Sequence, residues 1–192
     1  MKNVKINIII VGEIMKKLYE KDLYRYYGRK EKINEYFKRD IEKKYIVLFR
    51  KAQESKGIFK KINKYRLFKM SQKSMIQIPI DTKIGEGLYI DHLGSIVINP
   101  KTVIGKNVNI VQGVTIGQTN RGEKEGCPII GDNVWIGANA VIVGKIKIGN
   151  DVLIAPNSYV NIDVPSHSVV IGNPAQIHHK ENATDGYINR TI

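Results

Sequence analysis

From residue 78 onward an aliphatic residue, almost always isoleucine, returns every six positions, and very few backbones accommodate that period. Ile78, Ile84 and Ile90 form one run, Ile98, Ile104, Ile110 and Ile116 a second, and Ile130, Ile136, Ile142, Ile148, Ile154 and Val160 a third. Four residues beyond most of these stand Thr82, Leu88, Thr102, Val108, Val114, Val134, Ala140, Ile146, Val152, Ser158 and Val164, all small or β-compatible. Each hexad reads as a short strand plus a turn, one side of a triangular coil. The isoleucines then stack inward as a continuous column while the polar turn residues face out. The repeat slips twice, by two extra residues around Asp91-His92-Leu93-Gly94 and by a longer stretch between Ile116 and Ile130. Loops leave the coil there, and in a rigid solenoid such interruptions are where function is usually carried.

The chain of 192 residues is sufficient for one domain with an appendage. Its net charge of +13 is divided very unevenly. Residues 1–75 hold 22 Lys and Arg against 8 Asp and Glu, whereas residues 76–192 hold 9 against 10. In the basic segment apolar residues recur at helical spacing: Ile14, Leu18 and Leu23 before Gly28, then Ile33, Phe37, Ile41, Tyr45, Leu48 and Ala52 before Gly57. Two or three short amphipathic helices are expected, with two roles open. Their apolar stripe packs on the rest of the protein, or they lie on a membrane surface, since Tyr36, Phe37, Tyr45, Phe49, Phe59, Tyr65 and Phe68 alternate with cations. No nucleic-acid partner is expected, because no helix-turn-helix spacing, zinc finger or RNP-like strand is present. The early apolar run Ile8 to Val11 is too short for a membrane span or a signal-peptide core. A cytoplasmic protein, at most peripheral at the inner membrane face, is therefore expected.

The stretches "IDHLGSIVINPKTVIGKNVNIVQGVTIGQ", "IGDNVWIGANAVIVGKIKIG" and "VPSHSVVIGNPAQI" resemble the hexapeptide-repeat acyltransferases, nearest to serine acetyltransferases and the O-acetyltransferases of bacterial polysaccharide gene clusters. The stretch "DLYRYYG" at residues 22–28 is similar to the polysaccharide-cluster members. The resemblance covers residues 76 to about 180 and implies a left-handed parallel β-helix, a homotrimer, acetyl-CoA in a groove between neighbouring β-helices, and a histidine base. The expected organisation is a basic α-helical segment over 1–75, a β-helix over 76–176 with a loop at 117–128, and a polar tail over 177–192.

His92 occupies the histidine of the family's "DH..G" motif and sits at the repeat's first interruption, so it is the expected general base. Two departures bear on the acceptor. Serine acetyltransferases place an aspartate fifteen residues before this histidine to orient it, and here that position is Gln77, whose amide holds a tautomer but supplies no charge. They also grip the amino acid with a histidine preceded by arginine in the long loop, where this chain has Cys127 and Gly126. Cys127 is read as shaping the acceptor pocket rather than as a nucleophile, because no histidine is near it in sequence and Glu123 and Glu125 would raise its pKa. Asp91, next to His92 on an extended chain, is expected to point away from the ring and meet the acceptor.

With three hexads per coil, residues eighteen apart stack, placing Gly137, Ala155 and Asn173 in one row beside Ala138 and Pro174. With Gly117, these small residues are the expected ledge for the pantetheine of acetyl-CoA, and Lys145, Lys147 and Lys180 are candidates for its phosphates. No metal is expected: a zinc β-helix of the γ-carbonic-anhydrase kind needs three histidines, and only His92 lies on the coils. The loop "GQTNRGEKEG" lacks a P-loop ending. The resulting expectation is an acetyl-CoA-dependent O-acetyltransferase acting on a sugar hydroxyl in surface polysaccharide assembly. The alternatives are a serine O-acetyltransferase, an amino-sugar N-acetyltransferase or a non-catalytic basic scaffold.

Overall fold

A computed structural model describes residues 18–28 and 40–192. Ile8 to Val11, Ile14, Ile33, Tyr36 and Phe37, used in the reading above, lie outside the described residues. A left-handed β-helix with three faces carries the repeat. The first face holds β1 (Ile76–Gln77), β4 (Ile96–Ile98), β7 (Thr115–Gly117), β10 (Val141–Val143) and β13 (Tyr159–Val160). The second holds β2 (Lys83–Ile84), β5 (Val103–Ile104), β8 (Ile129–Ile130) and β11 (Lys147–Ile148). The third holds β3 (Tyr89–Ile90), β6 (Asn109–Ile110), β9 (Val134–Ile136), β12 (Val152–Ile154), β14 (Ser168–Ile171) and β15 (Gln176–His179). All pairings are parallel except β14 with β15.

The isoleucines stack as the period requires. Ile98, Ile116, Ile142 and Val160 align on the first face, Ile84, Ile104, Ile130 and Ile148 on the second, and Ile90, Ile110, Ile136, Ile154 and Val170 on the third. All are buried except Ile84, which is half-buried against the core, and wherever the six-residue period runs on unbroken the residue four further on is buried too. Asn107, Asn133, Asn139, Asp151 and Asn157 take φ between 53° and 61° immediately before those second inward residues. The sharp corner needs a left-handed residue, which Asn and Asp adopt at lower cost than branched side chains do.

The eighteen-residue count fails in the last coil. Ile148 bridges Val164 and Val152 aligns with Ser168, both sixteen apart, so Val164 takes an isoleucine position and two residues are lost. The partner of Ala155 is consequently Ile171, whose predecessor Val170 accepts the Ala155 N–H at 2.8 Å. Asn173 leaves the row with Pro174 and lies in the exposed turn between β14 and β15.

Among the described residues three helices precede the coils: α1 over residues 18–27, closed by Gly28 at φ 66°, α2 (Ile41–Glu54) and α3 (Gly57–Ser74). Gly57, read above as a stop, instead starts the 18-residue α3. Tyr45 and Phe49 of α2 are fully buried in the core that continues into the isoleucine column. The helices close the open first coil with side chains. Tyr45 Oη lies 3.0 Å from the Ile78 N–H it accepts, Gln53 donates to Ile80 O and Thr82 O, and Arg50 donates to Ile84 O and Gly85 O. Asp22 accepts from Leu88 N, and Arg25 donates to Gly87 O. Every backbone polar group so paired would otherwise be an orphan at a buried edge.

Candidate active site

The ladder of the third face continues one residue past its strands. Asp91 N donates to Ile110 O, Val111 N to Ile136 O, Gly137 N to Ile154 O and Ala155 N to Val170 O. Asp91, Gly137 and Ala155 thus lie along one edge, where the third face turns into the first. His92 is the next residue on this edge, in the bend that the two inserted residues create, and its side chain is 67% exposed. The bend is tight, because Gly94 at φ 153° passes so close over Gln112 that an added Cβ would lie 2.9 Å from its side chain.

The backbone leading into His92 is held from outside the coil. Tyr26 Oη both donates to Ile90 O and accepts from Ile90 N, each at 2.7 Å, and the ring stacks on Tyr89 with centroids 4.1 Å apart. Burial pushes the Tyr26 phenol well above its usual pKa, so it stays a neutral donor. "DLYRYYG" is therefore the segment that fixes β3: Asp22, Arg25 and Tyr26 each hold it or the turn before it.

Asp91 does not turn away from the ring. The pair lies in a bend and not in a strand, and Asp91 Oδ2 comes within 3.8 Å of His92 Nε2. The strand alternation assumed for them applies only to extended chain. Asp91 also lines a cavity of about 570 Å³ with Arg25, Tyr89, Asn109, Trp135, Tyr187, Asn189 and Arg190. Arg25 is buried, which brings its guanidinium down to about 10. Its donors reach Gly87 O and Asn189 O, while Arg190 donates to the carbonyls of Arg25 and Tyr26. Asn109 donates to Tyr187 O, and its buried Oδ1 has no partner. Tyr187, Asn189 and Arg190 arrive from the far end of the chain, and no local pattern announces them.

Gln77 faces outward on β1, beside Val97 of β4, and makes no hydrogen bond to His92. Gly117 ends β7 where the first face turns into the second, and the long loop leaves there as a small hairpin closed by paired Thr119 and Gly126. Cys127 ends that loop, half-buried, and Lys145 N donates to Lys124 O beneath it. Burial pushes the Cys127 thiol up while Lys101 opposes it, so the direction is as expected but the glutamates are not its cause. Gly137 is required sterically: a Cβ there would lie 2.6 Å from Pro156 N and 2.8 Å from the Trp135 ring. Ala138 follows it, half-buried, and its carbonyl accepts from Asn157 N. Lys147 and Lys180 are exposed, on β11 and just beyond β15. His92, Asp91, Gly137, Ala138 and Ala155 therefore share one edge of the protomer, while Gly117, Cys127 and Lys145 share another. Among the described residues no group of three or more His, Cys, Asp or Glu could hold a metal.

This arrangement has close counterparts. A family model described as bacterial transferase hexapeptide (six repeats) matches residues 127–161. The fold superposes on the Neisseria gonorrhoeae serine acetyltransferase solved with serine at TM-score 0.72 and 30% identity, covering 88% of this chain and 71% of that one. The chain belongs to the serine acetyltransferase-like hexapeptide acyltransferases. A Brucella abortus member of this family, solved with coenzyme A, matches at TM-score 0.71 and 26% identity over 89% of this chain and 73% of that one. Among curated relatives, a Staphylococcus aureus serine acetyltransferase is 47% identical over 102 residues, 53% of this chain and 48% of its own. Serine acetyltransferase 4 of Arabidopsis thaliana is 42% identical over 109 residues, 57% of this chain and 31% of its own. The chain thus spans less than half the length of these curated relatives.

Proposed function

We propose that this chain catalyses acetyl transfer from acetyl-CoA to a hydroxyl acceptor, with His92 as general base. The observation that carries the reading is His92 itself: an exposed imidazole in the inserted bend, two residues past a strand clamped by Tyr26, beside a carboxylate that lines a cavity. In the reaction the imidazole takes the acceptor's proton as oxygen attacks the thioester carbonyl. Collapse of the tetrahedral intermediate then expels the CoA thiolate, which recovers that proton. No acyl-enzyme is needed, in keeping with Cys127 lying on the other edge with its thiol pushed up. The donor's arm is assigned to the Gly137–Ala138–Ala155 edge, which carries only small side chains and exposes no bulky group in its path.

For the acceptor, the comparisons favour serine over the sugar hydroxyl that the sequence alone put first, since the relatives and neighbours named above are serine acetyltransferases. A saccharide is kept as the second reading on two specific grounds. Gln77 and Cys127 stand where those enzymes orient the base and grip the amino acid, and the cavity beside Asp91 is large and walled by Tyr89, Trp135 and Tyr187. A homotrimer belongs to the proposal, because a threefold arrangement can bring one protomer's His92 edge against a neighbour's Cys127 edge. Release of free CoA thiol from acetyl-CoA, measured with serine, with nucleotide sugars and with no acceptor, is the test. Serine-dependent release supports the first reading and sugar-dependent release the second. No acceptor-stimulated release from either overturns the proposal.

A further inference from the structure

The basic segment divides into two parts with different surroundings. α1 and α2 spend their polar and aromatic side chains on closing the first coil, whereas α3 turns only Leu67 and Ser74 fully inward. On its opposite side Ile58, Ile62 and Tyr65 fall in one line at helical spacing, flanked by Phe59 and Phe68. These five side chains are between 46% and 67% exposed. Interleaved with them are Lys60, Lys61, Lys64, Arg66, Lys69 and Lys73, and α3 carries no acidic residue. Among the described residues none of these six cations forms an ion pair.

We propose that the outward face of α3 docks on an anionic lipid bilayer, its apolar line entering the interface and its cations meeting the phosphates. Charge complementarity selects this occupant. Pairing the face with a second copy of itself would bring its uncompensated positive charges against a like set, whereas an anionic bilayer neutralises them and buries the same apolar line. A second feature fits the same partner. Arg66, Lys69 and Lys73 surround a groove of about 330 Å³ whose other walls are Leu48, Tyr65 and Met70, so that cations stand over an apolar floor, as a headgroup above its acyl chain requires. No described helix is long and apolar enough to cross a membrane, so α3 lies along the surface. The inference is independent of the acceptor and of His92.

The test is co-sedimentation of the full chain with phosphatidylcholine vesicles containing increasing phosphatidylglycerol, at low and raised salt. Pelleting is expected to rise with the anionic lipid and to fall with salt, since the Debye length shortens from about 10 Å at 0.1 M to about 3 Å at 1 M. Two variants assign the effect to α3: Ile58→Ser with Ile62→Ser and Tyr65→Ser, and, independently, Lys61→Glu with Lys64→Glu and Lys69→Glu. Either set is expected to lower vesicle binding at least tenfold while the circular dichroism melt stays that of the parent. Failure of the parent chain to pellet, equal pelleting with pure phosphatidylcholine, or undiminished binding by both variants overturns the proposal. So does a parent that binds no vesicles and whose apolar variant forms a smaller assembly, because the face is then a contact between copies.

Discussion

His92 is an exposed imidazole on a backbone that is fixed two residues earlier, which suits proton transfer without rearrangement of the coil. Replacement by alanine is expected to lower kcat by about 10²–10⁴-fold, the usual worth of a positioned base, with the affinity for acetyl-CoA almost unchanged. Steady-state kinetics in both substrates check this, and near-parental turnover would return His92 to a structural role. A second residue carries a pH signature. Glu54, at the end of α2, is half-buried with Oε1 unpartnered; burial pushes its carboxyl up to about 7, with Arg50 opposing and Asp22 reinforcing the rise. A carboxyl raised in the folded state gives a contribution that is fully present below the unfolded value of about 4.3 and lost as pH climbs through about 7. Glu54→Gln should therefore raise the Tm more at pH 8 than at pH 4.5, on the order of those bounds. An equal shift at both, read by calorimetry, would show that the carboxyl is not strained.

At the scale of elements, the first coil has no coil below it, and α1 and α2 supply the missing partners one side chain at a time. Arg50 is the hinge of this cap: it donates to Asp22, with Nε 2.8 Å from Oδ2, and to the carbonyls of Ile84 and Gly85, and both side chains of the pair are buried. Arg50→Met would leave a buried carboxylate without its cationic partner and two carbonyls without donors, a loss of about 3–5 kcal/mol for a broken buried pair. Chemical denaturation should show it, together with earlier hydrogen exchange at Leu88 and Ile90 than at Ile136. The cap also marks how far the sequence can be read. The isoleucine columns were legible because their contacts repeat at a fixed short interval, and the loops because they break it. Pairings such as Tyr26 with Ile90 or Arg190 with Tyr26 join residues 64 and 164 positions apart, which no period encodes. Gly57 misled as a terminator because a glycine ending one helix and one starting the next look alike in composition. Asn173 was misplaced because the two-residue loss before Val164 leaves no visible gap in a coil that has already begun to lose its isoleucines.

At the scale of the molecule, the described residues cover one face of the coil and leave two open. After β15 the chain returns along the third face: Thr184 Oγ1 donates to Asp151 at 2.7 Å, Tyr187 packs on Trp135, Arg190 reaches the carbonyls of Arg25 and Tyr26, and Ile192 N donates to Asn107. Among the described residues the outward rows of the first and second faces have no such cover, and Val97, Val103 and Ile129 stand exposed there. Apolar rows on flat, rigid faces favour association, and closed rotational symmetry is the way to bury them without forming open chains. A trimer also unites the two edges over which the candidate site residues are divided, so assembly and activity should be lost together. Sedimentation equilibrium is expected to give three times the 21.8 kDa of the chain. Val97→Lys, which places a charge on the first face, should shift the protein toward monomer and depress acetyl transfer while the circular dichroism spectrum of the coils persists. A fully active monomer would mean that one protomer holds the whole site, and the division between its edges would then have no catalytic meaning.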